Sequence, residues 1–330
     1  MSTEPALSLQ PIQPHASSGG LVAALEGAAE RLLERHIETA PEWFPHELVP
    51  WHRAADLDPS EPWCSEDSSV RPEARVALLV NLLTEDNLPY YFNALHAVSG
   101  DGPLAEWTRR WTAEEGRHSI VIRDYLTVTR AIDPIELERG RMQQVSHGVA
   151  PQFDTLADAL VYATLQELAT RISHRSTGKL LDDPAGVAVM NRVAADENLH
   201  HLFYRDLVAA AIEVAPSEMV RSIDHVVSGF AMPGTGITDF AKHARVMAEA
   251  QVYDFALHHD QVVAPIVLGR WKLEDIVGLD SEAEAARDRV LRHIRRLRKA
   301  ADRLKARRTR SRAVAEADRR EFQVAVRNGR

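Results

Sequence analysis

One chemical pattern occurs twice in this chain. Glu85 is followed after 30 residues by Glu115 and after 33 by His118, and Glu167 is followed at the same intervals by Glu197 and His200; the second set is the first displaced by 82. The last two members of each set read Glu-x-x-His, in WTAEEGRH and AADENLH. A spacing of three puts both side chains on one helix face. Trp111 and Ile122 extend that face around the first pair, and Val193, Tyr204 and Leu207 around the second. Each pair thus sits in an apolar stripe that has to turn inwards. The repeat calls for helix, loop, helix twice over, with a pseudo-twofold centre between the hairpins.

The remaining sequence fits that demand. Ala, Leu, Glu and Arg dominate long stretches free of Gly and Pro, a helical composition. The pattern predicts helices over 21–36, 73–96 with Pro89 interrupting or kinking it, 104–127, a short stretch after Pro134, 154–177, 185–214, 217–229, 239–259, and a charged helix from 281 towards 317. Residues 37–69 have no clean period, and VVAPIVLGRW stands between helices. Strand candidates are few and short. The expected fold class is all-α, a helical bundle with a four-helix core and additional packing helices. Residues 1–20 read as a flexible leader, 21–300 as the main domain, and 301–330 as a basic, mainly helical C-terminal extension.

One Glu from each of two helices plus Glu-x-x-His from each of two others is the donor set of a dinuclear metal site. Carboxylates bridge two cations and offset charge that an apolar interior would not tolerate. Carboxylate with imidazole suits two non-haem iron ions, and manganese can occupy the same donors. The expected metal ligands are Glu85, Glu115, His118, Glu167, Glu197 and His200. A lone Glu-x-x-His is usually solvated surface; the repetition at one interval is what points to metal. Asp196 and Glu114 precede the metal-binding glutamates, and each either braces a histidine nitrogen or makes helix-side salt links. Thr170, three after Glu167, either bonds bound oxygen or water or closes on its own backbone. Trp43 and Trp111 are core fillers or electron carriers.

Composition removes other classes. The single cysteine, Cys64, excludes an internal disulfide and a cysteine-based metal or iron–sulfur site within one chain. No run of 18 apolar residues exists, so no transmembrane segment is expected. MSTEPALSLQPIQPHASSG lacks the basic-then-apolar order of a secretory signal, and a cytoplasmic, reducing setting fits best. Net charge is −9, but residues 292–330 hold 15 Lys or Arg against 4 Asp or Glu, a balance of +11 that leaves −20 on the preceding 291. An acidic body with a basic tail argues against a dedicated nucleic-acid binder and leaves room for an acidic protein partner near the tail.

Over roughly residues 21–300 the chain resembles the soluble acyl-acyl-carrier-protein desaturases, of the ferritin-like stearoyl-carrier type. The resemblance lies in TEDNLPYY at 84–91, RRWTAEEGRH at 109–118, LQELATRISH at 165–174, ADENLHHLFY at 195–204, MPG at 232–234 and VVAPIVLGRWKLEDIVGL. It implies a diiron centre on the six residues above, Thr170 on the oxygen-binding side, Asp196 bracing a ligand, and Trp43 in electron delivery. It also implies a homodimer that takes electrons from a ferredoxin-type donor, uses O2, and acts on a fatty acyl chain tethered to acyl carrier protein. Phe92, Ala94, Ala97 and Val98 are the positions expected to line a bent substrate channel; here they are mostly small or aliphatic. An actinobacterial member fits the Arg- and Ala-rich composition. Arg109, Arg110, Arg171, Arg175 and Lys179 are candidates for docking an acidic carrier. Another ferritin-like diiron hydroxylase or N-oxygenase, and a non-catalytic homologue that grips acyl carrier protein, are the alternatives.

Overall fold

Most helices start where proline permits. The computed structural model describes residues 18–56 and 62–328; most of the expected leader lies outside them. Proline occupies the first turn of α3 (Pro72–Glu85), α4 (Leu88–Ser99), α5 (Pro103–Val128), α6 (Pro134–His147), α8 (Pro184–Val214) and α9 (Pro216–Gly229). Its fixed φ suits the first turn, and its missing N–H would be unpaired there anyway. Side-chain caps supply further starts. Thr155 accepts from the Asp158 amide ahead of α7 (Leu156–Gly178), and Asp183 from the Ala185 amide ahead of α8. Before them come α1 (Ser18–Thr39) and a single turn, α2 (Pro45–Leu48), inside the irregular stretch.

Two expected helices are broken, for different reasons. Pro89 has no N–H to give the Glu85 carbonyl, so the 73–96 helix splits at Asp86–Asn87 and Glu85 becomes the last residue of α3. The buried Asn87 side chain holds this joint: its amide donates to the Val149 carbonyl (2.9 Å), and its oxygen accepts from Gln144 (2.8 Å) and the Val149 amide (3.1 Å). The 239–259 helix ends as α10 (Phe240–Glu249), where Gln251 takes a left-handed φ of 59°. Asp254 then caps α11 (Phe255–Leu257), which continues as a π-helix over His258–Arg270. VVAPIVLGRW is therefore largely helical. The wider π-turn carries Pro265 inside it, where the sequence pattern gives no helical signal.

The core is α3, α5, α7 and α8, with α7 and α8 packed along their lengths. Outside it, α1 covers α5 and α8, α9 covers α7 and α8, and α12 (Ser281–Asn328) packs on α9 and on the segment 255–270. Trp107 of α5 lies flat on Phe203 of α8, ring centres 3.7 Å apart, sealing one end of the core. Helix α12 crosses residue 300 without a break, and Lys305 and Arg308 pair with Asp260 and Asp254 to fix it to the body. Among the described residues there is no strand, and no helix is long and apolar enough to cross a membrane.

Candidate metal centre

The six repeated residues meet at the middle of the four-helix core. Glu85 comes from the end of α3, Glu115 and His118 from α5, Glu167 from α7, and Glu197 and His200 from α8, and all are buried. Glu85, Glu115, His118 and Glu197 bring one ligand atom each within 4.8 Å of one another, and Glu115, Glu167, Glu197 and His200 do the same. Glu115 and Glu197 belong to both groups. The sequence repeat thus becomes a spatial one, two overlapping donor sets sharing two carboxylates.

The donors also fit cations chemically. His200 Nδ1 stands 2.7 Å from Glu115 Oε1, yet both atoms are buried without a hydrogen-bond partner, as are Glu167 Oε2 and Glu197 Oε1. Buried polar atoms are seldom left unpaired. A cluster of them, all able to ligate, matches convergence on metal better than a hydrogen-bond network. Electrostatics agrees. Burial, and then the charge of Glu197, push Glu115 above the ordinary carboxylate value; burial, Glu197 and Glu115 push Glu167 well above it. Burial also opposes charge on His118 and His200, but the surrounding carboxylates win and raise both well above a free imidazole. Divalent cations relieve that crowding directly.

Around the ligands the pseudo-twofold persists. His118 Nε2 faces Asp196 Oδ2 at 3.4 Å, and His200 Nε2 faces Glu114 Oε2 at 3.0 Å. Asp196 and Glu114 are themselves related by the shift of 82, so each hairpin's outer acid braces the other hairpin's histidine. Both acids are further held. Asp196 accepts from Trp43 Nε1 (2.7 Å), Arg117 (3.2 Å) and Arg192 (2.5 Å); Glu114 bonds His36 (2.9 Å) and accepts from Arg110 (2.5 Å). Burial would raise Asp196, but His118, His200 and Arg192 outweigh it and bring it to about 2. Trp43 stacks on His118 at 6.4 Å with Arg117 and Arg192 against its ring. Trp111 donates to Glu167 Oε1 (2.9 Å), and the Thr170 hydroxyl donates to Glu197 Oε2 (2.7 Å), also within reach of the Gln166 and Glu167 carbonyls.

His174 breaks the symmetry, and sequence reasoning missed it. Its Nε2 lies 2.9 Å from Glu85 Oε1 and 3.4 Å from Glu197 Oε1, where the other hairpin offers Phe92 at the equivalent position. Burial lowers its basicity, but the two carboxylates overcome this and raise it to about 9. The signal was available: His174 follows Glu167 by seven, two turns along one helix face. His36, 78 residues before Glu114, had none.

An apolar cavity of about 510 Å³ adjoins the cluster. Thr84, Thr170 and His174 form its inner wall; Phe230, Met232, Phe240 and Met247 narrow it; Phe255, His293 and Leu297 stand at its outer side. Phe92, Ala94, Ala97 and Val98 lie on α4 and none of them lines it; Ala97 is exposed. Arg171, Arg175 and Lys179 flank grooves that share no residue with it.

The model of a family described as fatty acid desaturase matches residues 18–324. The chain belongs to that family. DesA1 of Mycobacterium tuberculosis, which carries the name of an acyl-acyl-carrier-protein desaturase, is 39% identical over 293 residues, 86% of this chain and 86% of the relative. A chloroplastic stearoyl-acyl-carrier-protein 9-desaturase 6 of Arabidopsis thaliana is 30% identical over 285 residues, 76% of this chain and 72% of its own. Among solved structures, DesA2 of Mycobacterium tuberculosis H37Rv shares the fold, with a TM-score of 0.64 and 24% identity over 78% of this chain and 99% of that one. The core of this family member is a ferritin-like four-helix bundle with the buried Glu and His clusters of a diiron site.

Proposed function

We propose that the protein is an oxygen-dependent acyl-acyl-carrier-protein desaturase that introduces a cis double bond into a carrier-bound fatty acyl chain. One observation carries this reading: two Glu/Glu-x-x-His sets converge on one buried locus against the wall of an apolar cavity. Glu115 and Glu197, common to both groups, would be shared by two ions, with Glu85 and His118 holding one and Glu167 and His200 the other. Iron suits this donor set, with manganese a possible substitute.

When bound and reduced, a pair of iron ions supplies with O2 the oxidising strength to remove two hydrogens from adjacent methylenes. The chain's own residues do the rest. An unactivated methylene has no acidic proton, so the cavity is built to hold and exclude rather than to deprotonate. Phe230, Met232 and Met247 grip the acyl chain and keep water out. Among the polar groups between chain and ligands, Thr170 and His174 bond the ligand carboxylates directly, where protons can be held. Asp196 and Glu114 fix the ring orientation of His118 and His200. Trp43, bonded to Asp196 and stacked on His118, joins the α2 segment to the ligands as the entry for electrons from a ferredoxin-type donor. The enzyme acts as a homodimer in the cytoplasm.

The test is turnover. Iron-loaded protein with reduced ferredoxin, O2 and stearoyl-loaded acyl carrier protein should yield a monounsaturated chain whose double bond is mapped by mass spectrometry. A hydroxylated product would favour a hydroxylase. No oxygen uptake by the reduced, iron-loaded protein would leave a carrier-binding homologue.

A further inference from the structure

The cavity beside the ligand cluster opens where α12 runs past it. His293 and Leu297 of α12 line it. Further along, Arg308 donates to Asp254 Oδ2 (2.5 Å) and to the Ala248 carbonyl (2.6 Å), and both of those residues also line it. From His293 to Arg308, α12 thus runs along one side of the cavity. Arg292, Arg296, Lys299, Arg303, Arg307 and Arg310 are exposed on this same stretch. Their spacings of 4, 3, 4, 4 and 3 follow the helical repeat, so they form one stripe, about 27 Å long at the helical rise. None has an acidic partner among the described residues, whereas Lys305 and Arg308, off the stripe, are paired to the body.

Like charges three and four apart repel along a helix, so the stripe weakens α12 unless something anionic lies on it. The acids of the body that reach α12, Asp224, Asp254 and Asp260, pair with Arg289, Arg308 and Lys305, off the stripe. We propose that the stripe Arg292–Arg310 is the docking surface for the acyl carrier, an acidic carrier domain that lies along α12 and passes its phosphodiester-linked acyl arm over His293 and Leu297 into the cavity. Arginine forks suit both the phosphodiester and the carboxylates of an acidic helix. This assignment rests on the desaturase reading, and docking and turnover are measured separately.

The experiment compares wild type with the triple variant Arg296→Glu, Lys299→Glu, Arg303→Glu, all at exposed positions, by fluorescence anisotropy with labelled stearoyl-loaded acyl carrier protein at two ionic strengths. Far-ultraviolet circular dichroism and iron content should match wild type. The Kd should rise about tenfold or more at low salt, with a flatter salt dependence and slower association. Arg296→Lys, Arg303→Lys, which keeps the charge and loses the forks, should bind between wild type and the triple variant. A wild type that does not bind the loaded carrier, a triple variant with unchanged Kd, or loss of binding on Arg171→Glu, Arg175→Glu instead would overturn the assignment. So would a stripe that binds anionic phosphatidylglycerol vesicles while leaving carrier affinity untouched. Wild-type desaturation with unchanged carrier binding in the variant sinks the docking surface alone; absent desaturation with variant-sensitive binding sinks the activity alone.

Discussion

Replacing Glu114 by Gln tests whether the pseudo-twofold reaches beyond the ligands. Glu114 is buried and meets His200 Nε2 at 3.0 Å, His36 at 2.9 Å and Arg110 at 2.5 Å. A neutral amide keeps one acceptor and turns an NH2 towards at least one of these donors. Loss of a carboxylate that orients a metal-bound histidine costs about 10–100-fold in metal affinity, or about 1.4–2.8 kcal/mol. Because Asp196 stands in the same relation to His118, Asp196→Asn should fall in the same range. Competition of each variant with a fluorescent iron chelator gives the affinities, and thermal unfolding checks that the helices remain. If Glu114→Gln bound iron as wild type while Asp196→Asn lost it, the bracing would be a device of one hairpin only, and the symmetry argument would fail.

In the metal-free protein the contributions of Asp196 and His174 are both full only between about pH 4 and 6.5, the unfolded Asp and His values. Asp196 is held at about 2, so its contribution is full above about 3.9 and is lost as pH falls through 2. His174 is raised to about 9, so its contribution is full below about 6.5 and disappears as pH rises through 9. Tm against pH, with Asp196→Asn flattening the acid limb and His174→Phe the alkaline one, checks both signs. His174→Phe should also lower iron retention after dialysis by about tenfold, since Glu85 and Glu197 lose the group that sets them; unchanged iron content would count against it. Gly148→Ala places a methyl 2.1 Å from Asn87 Oδ1 and 2.6 Å from the Tyr90 ring. It should cost about 1–3 kcal/mol, read as a lower urea midpoint at unchanged slope.

Local chemistry determined much of this protein before any tertiary contact. The paired intervals of 30 and 33 named all six converging donors, because a helix places residues three apart on one face whatever it packs against. Prolines and caps marked most helix starts, because a missing N–H is a local property. Tertiary structure decided what depends on which surfaces meet. It brought His36 to Glu114 across 78 residues and Trp43 to Asp196 across 153. It put the cavity against α9, α10 and α12 rather than on the α4 positions, since an opening is bounded by whichever elements pack around it. It also carried the helix through Pro265, where neighbouring packing holds a π-turn that sequence periodicity does not announce. Periodicity reports the face that a segment buries; the partner that covers that face is written elsewhere in the chain.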